Sequence, residues 1–186
     1  DILSPDSSYW EKVYKGGVTT VVTGPGSGEV SSGQAVVIKT WGGTIEERVL
    51  KEKGGVKIAM GRKRNSPKTS MGTTALLREK FIKAKEYDKK IKEWKKNKKD
   101  TPRPEKDLAL EAFADVLSGK DRIRSHVHSA HDILSILRLK DEFGFDLTLH
   151  HSTEAYKVPK EIAKRNVKVV GMPLFARIGI SDSVMY

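Results

Sequence analysis

The chain has 186 residues, 37% hydrophobic and 32% charged, enough for one globular domain with its own core. It has no cysteine, which excludes disulfides and thiolate metal ligands, and we expect a cytoplasmic protein. No apolar run reaches about 18 residues, and the first residues lack the regions of a signal peptide. We therefore expect neither a transmembrane helix nor a secretory leader.

The formal net charge of +11 is unevenly distributed, because residues 78–106 hold 13 Lys and Arg against 6 Asp and Glu. A basic segment of this kind, together with the loop "RKRNSPK" (62–68), is typical of nucleic-acid-binding modules. A solvated face of a helix explains the same charge. Tyr87 and Trp94 fit the apolar stripe of such a helix and are poorly spaced for base stacking, so a nucleic-acid partner is not expected.

The first third of the chain predicts short strands separated by glycine-rich turns and short helices. In chain order we expect a helix that ends at Gly16, a strand at 17–23, a loop at 24–33, a strand at 34–40, a helix at 44–55 and a strand at 56–61. The loop contains "TGPGSG", which resembles a phosphate-binding glycine loop. It lacks the GK[ST] ending of a P-loop, so we expect an ordinary connection that follows a strand.

The remainder alternates between helices and strands. We expect a basic loop at 62–72, helices at 73–98, 105–119, 130–144 and 158–166, and strands at 122–128, 145–151 and 167–172. The long helix carries one apolar stripe formed by Leu77, Phe81, Ala84, Ile91 and Trp94. Alternation with short turns predicts parallel strands joined by helical crossovers, in an α/β fold of about six strands.

All five histidines fall between residues 126 and 151. Alternation in the strand 122–128 places His126 and His128 on the face of Arg124, and in the next strand it puts His150 and His151 on opposite faces. These positions are the carboxyl ends of consecutive strands, where α/β folds build active sites. Neutral imidazoles on neighbouring strands are typical of a hydrolytic metal site.

Two segments, "VHSAHDIL" and "LHHSTEAYK", resemble consecutive strand ends of metal-dependent amidohydrolases. The upstream run "GGVTTVVTGPGSGEVSSGQ" resembles the imidazolonepropionase-related members of that family. The likeness implies a (β/α)8 TIM-type barrel, here incomplete, with about strands two to seven and without the small β-sandwich of the family. Residues 1–186 would form this partial barrel, and 73–106 would be a Lys-rich helical excursion within it.

The resemblance also implies a site with one or two divalent metal ions, most often zinc. Its metal ligands would fall on His126 and His151, with Lys57 as a carboxylated bridging lysine or, less closely matched, Lys39. Four further residues would contact substrate or support the ligands: His128, His150, Glu154 and Tyr156. Glu154 and Tyr156 could equally cap the next helix. His131, at the start of a helix, is expected to be structural.

The chain departs from the family pattern at both ends. No H-x-H strand precedes "GGVTTVV", and the eighth-strand Asp that serves as general base is absent, since Asp182 lies too near the seventh strand. The catalytic residue is therefore unknown, and we expect an inactive fragment of an enzyme that hydrolyses C–N bonds of small cyclic amides or related substrates. A homo-oligomer is compatible with this function. The alternative is a basic nucleic-acid-binding α/β module without catalytic activity.

Overall fold

The structure, a computed structural model, describes residues 8–63 and 67–172. These residues form a six-stranded sheet with strand order β1 to β6, together with helices and one short 3-10 turn at Ala155–Lys157. The strands are β1 (Thr20–Thr23), β2 (Ser31–Lys39), β3 (Val49–Ala59), β4 (Ile123–Val127), β5 (Leu147–His151) and β6 (Lys168–Gly171). The helices are α1 (Ser8–Lys15), α2 (Ile45–Arg48), α3 (Ser70–Lys96), α4 (Leu108–Leu117), α5 (Ala130–Phe143) and α6 (Pro159–Lys164).

The sheet is mixed, because β2 runs antiparallel to both of its neighbours, β1 and β3. From β3 to β6 all pairs are parallel. The prediction of parallel strands with helical crossovers is therefore wrong for β2. Its connections span only residues 24–30 and 40–48, shorter than the dozen or so residues that a parallel crossover needs. The result is a half-barrel with helices, compatible with an incomplete α/β barrel.

The predicted helix at 44–55 is also mostly wrong. Thr44 forms a capping box with Glu47, but the helix ends at Arg48 and the chain continues directly as β3. Residues with good helix propensity in this stretch pair with β2, for example Lys51 with Val37. Pairing along the neighbouring strand thus overrides local propensity. The other predicted elements agree with the structure within a few residues, and 173–186 lie outside the described residues.

The helices cover one face of the parallel strands. The side chains that β4 and β5 turn toward them are fully buried: Ile123, Ser125, Val127, Leu147 and Leu149. Phe81 of α3 lies at the centre of this layer, with ring centroids 4.7–5.1 Å from those of three other phenylalanines: Phe113, Phe143 and Phe145. The hydrophobic core therefore lies between the sheet and α3 to α5, and it leaves the opposite face of the strands for other side chains.

Helix α3 divides into a packed part and a solvated part. Leu77, Phe81 and Ala84 of the predicted stripe are fully buried. None of the α3 residues that follow Tyr87 is buried. The Lys-rich end of the helix therefore faces water, as a solvated charged face requires. No helix in the described ranges is long and apolar enough to cross a membrane.

Candidate functional site

The histidines of β4 lie on the face of the sheet opposite the helices. Along β4 the residues alternate between fully and partly buried, with Ile123 and Val127 against the helices and Arg124 and His126 on the other face. His128 follows the last residue of β4 and continues this alternation. The predicted grouping of Arg124, His126 and His128 is confirmed, because a two-residue period fixes the face of each side chain.

Three imidazole rings form a cluster at the carboxyl ends of β4 and β5. The ring centroid of His126 lies 4.7 Å from that of His128 and 4.5 Å from that of His151, and the last two are 5.3 Å apart. The Nε2 atoms of His126 and His128 are 3.2 Å apart. Two ring nitrogens approach this closely when a proton or a cation lies between their lone pairs.

His151 joins the cluster through an unusual backbone conformation. Strict alternation places it on the face of Leu147 and Leu149, opposite His150, and that prediction is wrong, because its ring lies beside that of His126. The φ angles of His151 and Ser152 are 68° and 47°, a left-handed conformation that is rare outside glycine. The backbone N–H of Ser152 donates to the carbonyl of Val127 at 2.8 Å, and this bond ties the turn across the end of β4. Strain of this kind concentrates at functional sites.

His150 lies beside His126 in the β4–β5 register but makes a different contact. Arg124 donates from Nη1 to Nε2 of His150 over 3.3 Å. A guanidinium can only donate, so Nε2 of His150 accepts and its proton is on Nδ1. Burial, followed by the charges of Arg124 and Lys57, lowers the pKa of His150 to about 4.

His126 has a pKa that is lowered further than that of His150. Burial, followed by the neighbouring His151, His128 and Lys57, lowers its pKa to about 3. Its Nδ1 is buried and has no hydrogen-bond partner among the described residues. The side chain is thus neutral at pH 7, and neutral imidazole is the form that binds metals.

Lys57 lies on the same face of the sheet as His126, two residues closer to the amino-terminal ends of the strands. It pairs with Arg124 in the β3–β4 register, while Ala59 is the residue beside His126. Lys57 is half-buried, and this burial lowers its pKa. Lys39, the other candidate for a bridging lysine, ends the reversed strand β2 and so lies at the opposite end of the sheet from the histidines.

The predicted residues that follow β5 lie in two different environments. Glu154 is buried, and its carboxylate accepts hydrogen bonds from the backbone N–H of Ala130 at 2.6 Å and from the amine of Lys157. It thereby ties the turn to the first residue of α5. Tyr156 is 73% exposed, with the amine of Lys157 over its ring. His131 is exposed on the first turn of α5.

Sequence reasoning missed Lys63 as a site residue, because it stood in a basic loop that looked solvated. It is buried, and its amine donates to the carbonyl of Met60 at 3.1 Å and to that of Ser27 at 3.5 Å. These bonds bring the glycine-rich loop before β2 to the end of β3. Burial lowers the pKa of Lys63. No signal in the sequence separates it from the preceding Arg62, which is exposed.

The positions of the imidazole nitrogens match the geometry of a metal site only in part. Two neutral nitrogens on one tetrahedral zinc ion lie about 3.3–3.4 Å apart, close to the 3.2 Å between Nε2 of His126 and Nε2 of His128. Within residues 8–63 and 67–172, no group of three or more His, Asp or Glu side chains is arranged to hold an ion. Binding by all three rings would need rotation of at least one of them. Asp182 lies outside the described residues.

No family model matches the chain, and no curated protein matches it. Among solved structures, the chain is similar to an amidohydrolase from Thermotoga maritima MSB8, with 36% identity over 96% of this chain and a TM-score of 0.86. The chain spans 49% of that protein's chain. It thus resembles about half of an amidohydrolase in both sequence and fold. The predicted amidohydrolase resemblance is confirmed at this level, and the finer likeness to imidazolonepropionase-related members stays a prediction.

Proposed function

We propose that the chain is part of a metal-dependent hydrolase of the amidohydrolase type, acting on C–N bonds of cyclic amides or related small molecules. The observation that carries the proposal is the cluster of His126, His128 and His151 at the carboxyl edge of the sheet. The likeness to half of an amidohydrolase supports the same class of reaction. Remaining ligands and a general base would come from other segments of a longer protein.

In this proposal the histidines divide into two roles. His126 and His151, with His128 beside them, would hold the metal, zinc in the first instance. A metal in such a site acts as a Lewis acid and lowers the pKa of bound water to about 7. His150 would face the substrate as a neutral donor, because its Nε2 already accepts from Arg124.

The bridging role of Lys57 stays a prediction within this proposal. Its lowered pKa increases the share of neutral amine, the form that reacts with carbon dioxide to give a carbamate and a proton. Lys57 lies two residues before Ala59 on β3, so its Cα is about 7 Å along the strand from the level of His126.

Zinc titration by calorimetry, with metal analysis after dialysis, tests the proposal on the chain itself. We expect stoichiometric binding that is weakened at least about tenfold, and more for a true ligand, in His126→Ala. His131→Ala is the matched control, since His131 is exposed and lies on α5. Equal binding by wild type, His126→Ala and His131→Ala contradicts the metal site. Salt-sensitive nucleic-acid binding without zinc binding would favour the alternative module.

A further inference from the structure

The side chain of Arg124 packs against two consecutive glycines of β3, Gly54 and Gly55. Gly55 of β3 has a φ of +125°, and a Cβ at this position would lie only 2.8 Å from side-chain atoms of Arg124. The carbonyl of the preceding Gly54 accepts a hydrogen bond from Nε of Arg124. The pair Gly54–Gly55 therefore leaves room for the side chain and fixes one edge of the guanidinium.

The guanidinium retains donors for another group. Of its five N–H bonds, the contacts to Gly54 and His150 use two. The side chain is half-buried. In the described part of the chain, neither Arg124 nor its register partner Lys57 forms an ion pair with a carboxylate. Arg122, two residues earlier in the chain, by contrast pairs with Asp146 at 3.1 Å.

Two partly buried cations on adjacent strands, neither of them in an ion pair within the described residues, are unfavourable in the free protein even with Asp121 nearby. An incoming anion would remove that cost and would complete the planar fork that guanidinium offers to a carboxylate. Arg124 contacts His150 and lies two residues before His126 on the same face of β4. Because Arg124 is this close to the imidazole cluster, the anion would belong to a molecule bound at that cluster.

We propose that Arg124 is a specificity residue that binds a carboxylate group of the substrate. The site would then select small amides that carry a carboxylate over neutral amides of the same shape. This inference rests on the proposed hydrolase function, because it assigns the carboxylate to that enzyme's substrate, but the binding that it describes does not require a bound metal.

The test compares N-acetylglycine with its neutral isostere N-acetylglycinamide, by NMR titration of the metal-free chain in chelator. We expect N-acetylglycine to bind about tenfold more tightly and to shift the Nε–H signal of Arg124. Arg124→Gln should remove this preference. Arg122→Gln, a change of the same type two residues away that removes the ion pair with Asp146 instead, should keep it. Equal binding of the two probes by wild type, or a preference that survives in Arg124→Gln, overturns the inference.

Two further measurements keep the outcome interpretable. The comparison of the two probes on wild type does not depend on whether Arg124→Gln folds, and circular dichroism establishes the fold of that variant. Zinc titration of the same samples tests the proposed function separately. Zinc binding without carboxylate preference overturns the inference alone, whereas carboxylate preference without zinc binding supports the inference and contradicts the metal site.

Discussion

The two faces of the parallel strands differ in what they contribute to the protein. In β4, Ile123 and Val127 are buried against the helices, while Arg124 and His126 lie on the opposite face beside His150. The first face is fully buried and, apart from Ser125, apolar. The second holds charged and imidazole groups, and Nδ1 of His126 is buried without a hydrogen-bond partner in the ranges that the structure describes. The helix-covered face therefore stabilises the fold, whereas the polar groups of the open face lower the stability of the protein.

The largest expected effect comes from the helix-covered face. Leu149 is fully buried in β5, and Leu149→Ala should lower the free energy of unfolding by about 2–5 kcal/mol through lost burial and a cavity. Val170→Ala on β6 is the control, because Val170 is 50% exposed, and it should change stability by less than about 0.5 kcal/mol. Urea unfolding measures both values. Similar losses for the two variants would contradict the proposed position of the core.

The open face should control the response of stability to acid. The folded-state pKa values of His126 and His150 are lowered to about 3 and about 4, so between these values and 6.5 the unfolded chain binds protons that the folded chain does not. Stability should therefore fall as pH decreases from 6.5, by at most about 1.4 kcal/mol per pH unit for each histidine.

Urea unfolding of metal-free protein at pH 7.5 and pH 5 measures this response. The double variant His126→Leu with His150→Leu should lose less stability than wild type over the same interval. The control His131→Leu should respond as wild type does, since it removes an exposed histidine on α5. If all three proteins lose the same amount, these histidines do not carry the lowered pKa values.

The smallest effect is an increase in stability. His126 is partly buried, and its Nδ1 has no partner within residues 8–63 and 67–172, so His126→Leu should raise the free energy of unfolding of the metal-free protein by about 1 kcal/mol. The same variant should lose zinc binding. Thermal unfolding in chelator checks the first expectation. A clear loss of stability would mean that His126 supports the fold, and the division between the two faces would then fail for this residue.

The sequence predicted the helix-rich part of the fold better than the strands near the amino terminus. Helices α3 and α5 and strands β4 and β5 follow from apolar periodicity over long or clearly bounded segments. The start of β3 could not be predicted, because "VLKEK" has helix propensity and becomes a strand only by pairing with β2. Long-range pairing of this kind leaves little trace in local composition.

Strand alternation predicted the arrangement of the histidines only in part. Alternation placed His126 and His128 together, but it pointed His151 the wrong way, because a left-handed backbone at that residue breaks the two-residue period. The role of Arg124 depends on the absence of side chains at Gly54 and Gly55, which lie on another strand. Neither feature is visible without the register of the strands.

Crystals of the chain grown with zinc, with diffraction recorded at the zinc absorption edge, test the central claim most directly. We expect an anomalous peak about 2.0–2.1 Å from Nε2 of His126 and from a nitrogen of His128 or His151. A peak only at the exposed His131, or no peak on the open face of the sheet, would contradict the assignment of this cluster as a metal site.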